Sequence, residues 1–394
     1  MERLIRTYHN LLKERTSPIR RSLLDELDRS NRLIAIKGSR GVGKTNFLLA
    51  YAREYHKDDA SCLYVNINNL FLAKEGLFYF VERFYKRGGK VLLLDQIHKY
   101  VGWDEELEMC YEKFLGLQII FTTSTIVRVK SNPHLSAYVA VYVLHGLSFR
   151  EFIELQTGKK FPILSVDEII KSHKQIATNI LKDINPLKYL VDYLEYGYYP
   201  TYLDQKSNID FLLKNINLTL EFDLPYINQI ELKYLTKLKL LLYTVATFKQ
   251  SGVNVSRLST EIGVSRATIM NYLTYMHNAR MLTLVYDRDG YDNNKKPKSV
   301  YLHNPNLLNA LTLDIVNENA LYKSFFLSHT RVLERVYNSD KAEFLLNEKY
   351  DIAVYTQKKV NTTQKNKNDI YAFDASLELG EGENIPLWLI GFVY

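Results

Sequence analysis

Cysteine is nearly absent: only Cys62 and Cys110 occur in 394 residues, both inside apolar segments. Two such thiols offer no disulfide framework and are expected as reduced core residues of a cytoplasmic protein. No apolar run approaches the roughly 18 to 20 residues that span a bilayer, so no membrane partner is expected. Met1–Arg21 is charged and lacks the apolar centre of a secretory leader. Internal repeats and low-complexity tracts are missing too, which sets aside solenoids and biased linkers. What is present is 46% hydrophobic and 24% charged residues, the balance of a soluble globular chain, long enough for two or three domains with their own cores. A formal charge of +7 permits a polyanionic partner without requiring one. The 30 tyrosines are read as core and half-buried positions.

The strongest local signal is Gly38-Ser39-Arg40-Gly41-Val42-Gly43-Lys44-Thr45, a complete G-x-x-x-x-G-K-[ST] phosphate loop. It follows the apolar run Leu33-Ile34-Ala35-Ile36 and precedes an amphipathic stretch, Asn46 to Tyr55, which places it at a strand-to-helix turn. Glycines let backbone N–H groups turn toward a phosphate. Lys44 supplies a point charge for the β and γ phosphates of ATP, and Thr45 a hydroxyl for Mg²⁺ at the positive end of a helix.

Lys90 to Asp95 is an apolar run ending in an acid, the pattern of a strand buried on both faces of a parallel sheet. Asp95 is expected at the strand's carboxyl end, holding the magnesium through water. Cys62–Ile67, Leu117–Phe121 and Val139–Leu144 complete five strands, with helical segments near Leu77–Tyr85 and Glu106–Phe114 between them. The alternation implies an α/β, doubly wound parallel sheet with its ligand at the carboxyl edge. After the fourth strand, Thr122 and Ser124 are candidates to orient the attacking water, and equally ordinary turn residues. Beside Asp95 stands Gln96, which can orient a water but not accept its proton near neutral pH. Loss of a general base typically costs about 10² to 10⁴ in rate, while ATP binding survives. Slow hydrolysis is the expectation.

The ordered segments "RLIAIKGSRGVGKT", "SCLYVNINNLFL", "GGKVLLLDQIHKY", "IIFTTST", "LHGLSFREF", "YLEYGYYP", "KKPKSVYLHNPNLLNAL" and "IPLWLIGFVY" resemble AAA-type (AAA+) P-loop ATPases of bacteria and archaea. These carry a C-terminal domain of unknown function similar to restriction-endonuclease-like folds. The resemblance implies four parts: a P-loop ATPase core at 1–148, a helical lid at 149–228, a winged helix at 229–312 and an endonuclease-like domain at 313–394. The chain departs from the family in Gln96 for the usual glutamate, in Thr122-Thr123-Ser124 for Thr-Gly-Ser, and in Leu135-Ser136-Ala137-Tyr138, where paired arginines usually follow Leu-Ser. Arg128 and Arg150 are the candidate substitutes for a transition-state arginine, Arg150 reading better as a structural pairing residue.

From Glu231 to Asn304 the pattern is helix, turn, helix, hairpin, with helices at Leu232–Phe248, Val255–Ile262 (capped near Asn254) and from the Ser265 cap to about Met281. In a DNA reader the third helix would present Arg266, Thr268 and Asn271, and the hairpin tip Lys295, Lys296 and Lys298 to phosphate. The same unit also serves as a lid or subunit contact in such chains, so a homo-oligomer or a protein partner stands beside DNA. In the C-terminal segment Glu343 and Asp351 fall where the resemblance puts metal-binding acids. The lysine position holds Ala353, and Lys358 and Lys359 lie too far along, so an inactive module is expected. Lys358–Lys367 reads as a basic polar loop. The functional expectation is a slowly hydrolysing, ATP- and Mg²⁺-binding switch that engages nucleic acid. The alternatives are an ATP-regulated DNA nuclease and a scaffold that binds only protein.

Overall fold

The computed structural model describes residues 1–15, 19–57, 59–200, 208–247, 254–290, 296–312, 317–333, 335–355 and 370–394. The chain divides into two compact units, Met1–Gly146 and Leu147–Tyr394. The expected lid, helix–turn–helix segment and C-terminal module thus share the second unit.

The first unit is built on five parallel strands: β1 (Leu33–Lys37), β2 (Cys62–Asn66), β3 (Val91–Asp95), β4 (Gln118–Thr123) and β5 (Ala140–Val143). Their order is β2-β3-β4-β1-β5. The inner strands are aliphatic and buried because helices cover the sheet, so both side-chain faces must be apolar. Its helices are α1 (Glu2–Glu14), α2 (Leu23–Glu26), α3 (Lys44–Tyr55), α4 (Leu70–Glu75), α5 (Leu77–Lys86) and α6 (Trp103–Lys113). Helix α1, which no sequence pattern announced, packs on edge strand β2, and the buried Tyr8 hydroxyl reaches Cys62 Sγ at 3.6 Å. Burial pushes the Cys62 thiol up to about 11, which keeps it protonated and inert. Strand β4 runs two residues past the end expected from its apolar run. Thr122 and Thr123 continue the pairing, opposite Ile36 and Lys37, because β-branched threonine suits a strand as well as valine does.

The second unit begins with α7 (Phe149–Thr157) and α8 (Val166–Leu181), each opened by a capping box, Ser148 with Glu151 and Ser165 with Glu168. Then come α9 (Leu187–Asp192), a π-helical turn at Tyr193–Gly197, α10 (Asn208–Leu218), a second π-helical turn and α11 (Leu224–Asn228). Next are α12 (Leu235–Thr247), α13 (Val255–Ile262) and α14 (Arg266–Asn278), followed by the antiparallel pair β6 (Leu282–Val285) and β7 (Ser299–Leu302). Helix α14 stops three residues before Met281, because Arg280 takes the left-handed backbone conformation (φ 60°) and turns the chain into β6. Helices α15 (Pro305–Leu311) and α16 (Glu318–Leu333) lead to β8 (Val336–Asn338), β9 (Phe344–Leu346), β10 (Tyr350–Tyr355), β11 (Ile370–Asp374) and β12 (Asn384–Pro386). Strands β8, β9 and β10 form an antiparallel meander, β11 adds in parallel to β10, and β12 in parallel to β11. Phe326 of α16 stacks on Phe344 and tilts against Phe373, sealing helix to sheet. Among the described residues no helix is long and apolar enough to cross a membrane.

Candidate nucleotide site

Strand β1 ends at Lys37 and the phosphate loop begins at once. Gly38 has no room for a side chain: a Cβ there would lie 2.8 Å from Leu144 O and 2.9 Å from Val42 Cγ2. Gly41 and Gly43 take φ of 91° and 93°, a region that costs other residues strain, and Gly43 caps α3. The first amides of α3 have no partner within the helix, which makes this turn a site for anions. Ser39, Arg40 and Gly41 are half-buried along it, and Val42 is buried beneath. Lys44 Nζ donates to the carbonyls of Gly38 (2.7 Å) and Ser39 (2.9 Å), bonds that a triphosphate would replace with stronger charge-assisted ones.

Asp95 closes β3 and is 1% exposed. Thr45 Oγ1 donates to its Oδ2 at 2.7 Å, Tyr64 OH to the same oxygen at 2.8 Å, and Thr122 Oγ1 to Oδ1 at 2.5 Å. Asn66 Nδ2 stands 3.5 Å away. Strand order explains the convergence: β4 lies between β1 and β3, so Thr122 reaches sideways to Asp95, and β2 on the other flank puts Asn66 opposite Asp95. A hydroxyl and a carboxylate in contact beside a phosphate loop are the hard oxygen donors that magnesium prefers, so the residues present fit that ion.

Gln96 follows in the left-handed conformation, φ 62°, and its backbone N–H donates to Thr122 Oγ1 at 2.8 Å. Thr122 therefore gives its proton to Asp95 and one lone pair to the Gln96 N–H. It is wholly buried, in the position of a brace. Its proton goes to the acid, which adds a bracing part to the expectation that it orients a water. Ser124 is half-buried in the turn, where its Oγ accepts from Ile126 N at 3.4 Å. The aromatic Tyr64 and the amide Asn66 escaped sequence reasoning. Their alternate spacing along β2 marks one face of a strand, but nothing in the sequence says that β3 is the neighbour.

In the second unit Arg266 and Asn271 are exposed on α14. Thr268 is half-buried and turned into the cap, with its Oγ1 2.8 Å from Ser265 Oγ. Lys296 is exposed, Lys298 pairs with Asp287 at 3.2 Å, and Lys295 lies outside the described residues. Arg128 is exposed after β4. Arg150 is buried and donates from Nε to Tyr394 O at 3.1 Å. Glu343 is occupied by Lys323 of α16 and by Val354 N (3.1 Å), whereas Asp351 accepts from Ser339 Oγ (2.5 Å) with Lys341 3.7 Å away. The two acids are thus held by separate sets of partners. Lys358, Lys359 and the rest of the basic loop to Lys367 lie outside the described residues.

Residues 30–153 match the model of an AAA domain, and residues 187–318 that of a domain of unknown function, DUF8612. No curated protein matches the chain. Among solved structures, DnaA from Aquifex aeolicus with AMPPCP is similar at 16% identity, covering 70% of this chain and 88% of that one, with a TM-score of 0.29. A replication initiator DnaA bound to AMPPCP and single-stranded DNA matches over the same shares at 14% identity and a TM-score of 0.28. The segment that matches the AAA domain is the one that builds the phosphate loop and buries Asp95, and its features are those of a nucleotide-binding P-loop domain.

Proposed function

We propose that the chain is an ATP- and Mg²⁺-binding switch that hydrolyses ATP slowly and engages nucleic acid through its second unit. The observation that carries the slow step is the pairing of a buried, well-bonded acid with a neutral neighbour. Asp95 has its oxygens occupied by Thr45, Tyr64 and Thr122. The next residue is Gln96, whose amide takes no proton from water at neutral pH. Magnesium, when bound, neutralises charge on the β- and γ-phosphate oxygens. The loop amides and Lys44 hold the triphosphate, Thr45 and Asp95 supply the oxygens for the metal, and Thr122 keeps Asp95 aimed. Gln96 orients a water without deprotonating it, so chemistry lags behind binding.

The test compares ATP affinity with phosphate release for the purified chain, Lys44→Ala and Gln96→Glu. The unmutated chain should bind ATP with Mg²⁺ and release phosphate slowly, and Lys44→Ala should lose binding. Gln96→Glu should raise turnover by about 10² or more, the lower end of what a general base contributes. Fast turnover by the unmutated chain would overturn the reading.

For the second unit, the helices α13 and α14 followed by the β6–β7 pair support reading this segment as a winged helix. Arg266 and Asn271 stand on the exposed side of α14, which is where a groove-reading helix needs its donors.

A further inference from the structure

We infer that Arg21, upstream of the segment that matches the AAA domain, is a positioning residue that aims the phosphate loop at its ligand. The side chain is 8% exposed, just before α2. Its Nη1 donates to Val42 O at 3.3 Å, inside the loop, and its Nη2 to His145 O and Gly146 O, each at 2.9 Å. A trans peptide unit carries its C=O and N–H in opposite directions. A guanidinium that pins the Val42 carbonyl on one side therefore turns the Gly43 N–H to the other, and Gly43 is the cap of α3, where the anion-binding amides begin.

The partners on the far side of Arg21 extend the argument. His145 and Gly146 continue the chain from β5, and the residue before them, Leu144, puts its carbonyl against Gly38 and donates its N–H to Lys37 O at 2.7 Å. The entry of the loop, at Gly38, and its exit, at Val42, thus rest on the same three residues, 144 to 146. Arg21 fastens the exit to them. A planar fork with several N–H donors holds carbonyls of two chain segments from fixed directions, and a lysine ammonium keeps the charge without that geometry. Burying a guanidinium is costly unless its donors are used, and here carbonyl oxygens use them.

The inference rests on the nucleotide site described above. Calorimetry with ATP and Mg²⁺ on the full chain, Arg21→Ala and Arg21→Lys, held well below their melting temperatures, separates aiming from simple bracing. Arg21→Ala should weaken ATP binding about tenfold or more, as expected when an amide aimed at a phosphate is lost. Arg21→Lys should recover only part of that loss. A merely structural role would lower the melting temperature and leave the affinity of the folded molecules unchanged, and that result overturns the inference. Should Arg21→Ala fail to fold, Arg21→Lys decides: affinity equal to that of the unmutated chain would sink the claim. If the unmutated chain itself ignores ATP, it is the nucleotide reading that fails.

Discussion

At the scale of single residues, the site is organised around Asp95 rather than around the loop alone. A buried carboxylate needs its lone pairs filled, and three hydroxyls from three different elements fill them. Thr122 has the tightest contact and a second duty, accepting the Gln96 N–H. Replacing it by valine keeps the shape and removes both bonds. The orphaned N–H and the under-bonded acid together should destabilise the metal-binding arrangement by about 1–3 kcal/mol. Thr122→Val is accordingly expected to weaken ATP binding in Mg²⁺ clearly more than ATP binding in EDTA. Equal losses under both conditions would show that the threonine matters only for the fold. Gln96 owes its position to the same bond, since a non-glycine residue at φ 62° persists only where its surroundings hold it.

At the scale of elements, helix α14 carries the most specific expectation outside the nucleotide site. Ser265 accepts from Thr268 N at 3.0 Å and closes the N-terminus, while Ile269, Leu273 and Met276 are buried. That leaves Arg266 and Asn271 exposed near the start of the helix. If this face reads nucleic acid, Arg266→Ala combined with Asn271→Ala should cost about 1–3 kcal/mol per lost contact in fluorescence anisotropy with duplex DNA at fixed low salt. Unchanged retention by the double variant, or no retention by the unmutated chain, would remove DNA as the partner of this face. The loss should be smaller for Lys298, whose ammonium already faces Asp287.

At the scale of the molecule, the second unit is tied together by a buried histidine. His329 Nε2 accepts from Phe149 N at 3.2 Å and lies 3.2 Å from Tyr193 OH, while Nδ1 sits 2.9 Å from Phe325 O. Helix α7, the π-helical turn and α16 thus meet at one ring, inside an aromatic cluster of Phe149, Tyr193 and Phe325. Burial holds the ring neutral, lowering its pKa from 6.5 to about 4. Between those values the unfolded chain binds a proton that the folded one refuses, so stability rises with pH across that window. The contribution is whole above about pH 6.5 and is lost as the pH falls toward 4. At about pH 5.5, one unit below the unfolded value, the loss should be on the order of 1 kcal/mol. His329→Gln should be less stable than the parent at neutral pH yet lose less on acidification, as read by urea denaturation at the two pH values. Parallel losses in both proteins would refute the assignment.

How much of this was legible beforehand follows from the range of each interaction. The phosphate loop, the acid at the end of β3, the neutral amide of Gln96 beside it and the caps at Asn254 and Ser265 depend on neighbours a few residues away, and local pattern exposes them. So do α13, whose limits match the expectation, and the alternation of strands and helices. Strand order and lateral packing are different, since they join residues 21 to 125 positions apart in the contacts that matter here. Tyr64 and Thr122 come to Asp95 only because β2 and β4 flank β3. Arg21 comes to Val42 only because the chain after β5 passes beneath the loop. The amino-acid order by itself determined which groups the site could hold, through the acid and the neutral amide that it wrote side by side. The tertiary structure alone decided which distant side chains hold those groups in place, because a hydrogen bond needs a partner within about 3 Å in space and imposes no limit on separation along the chain.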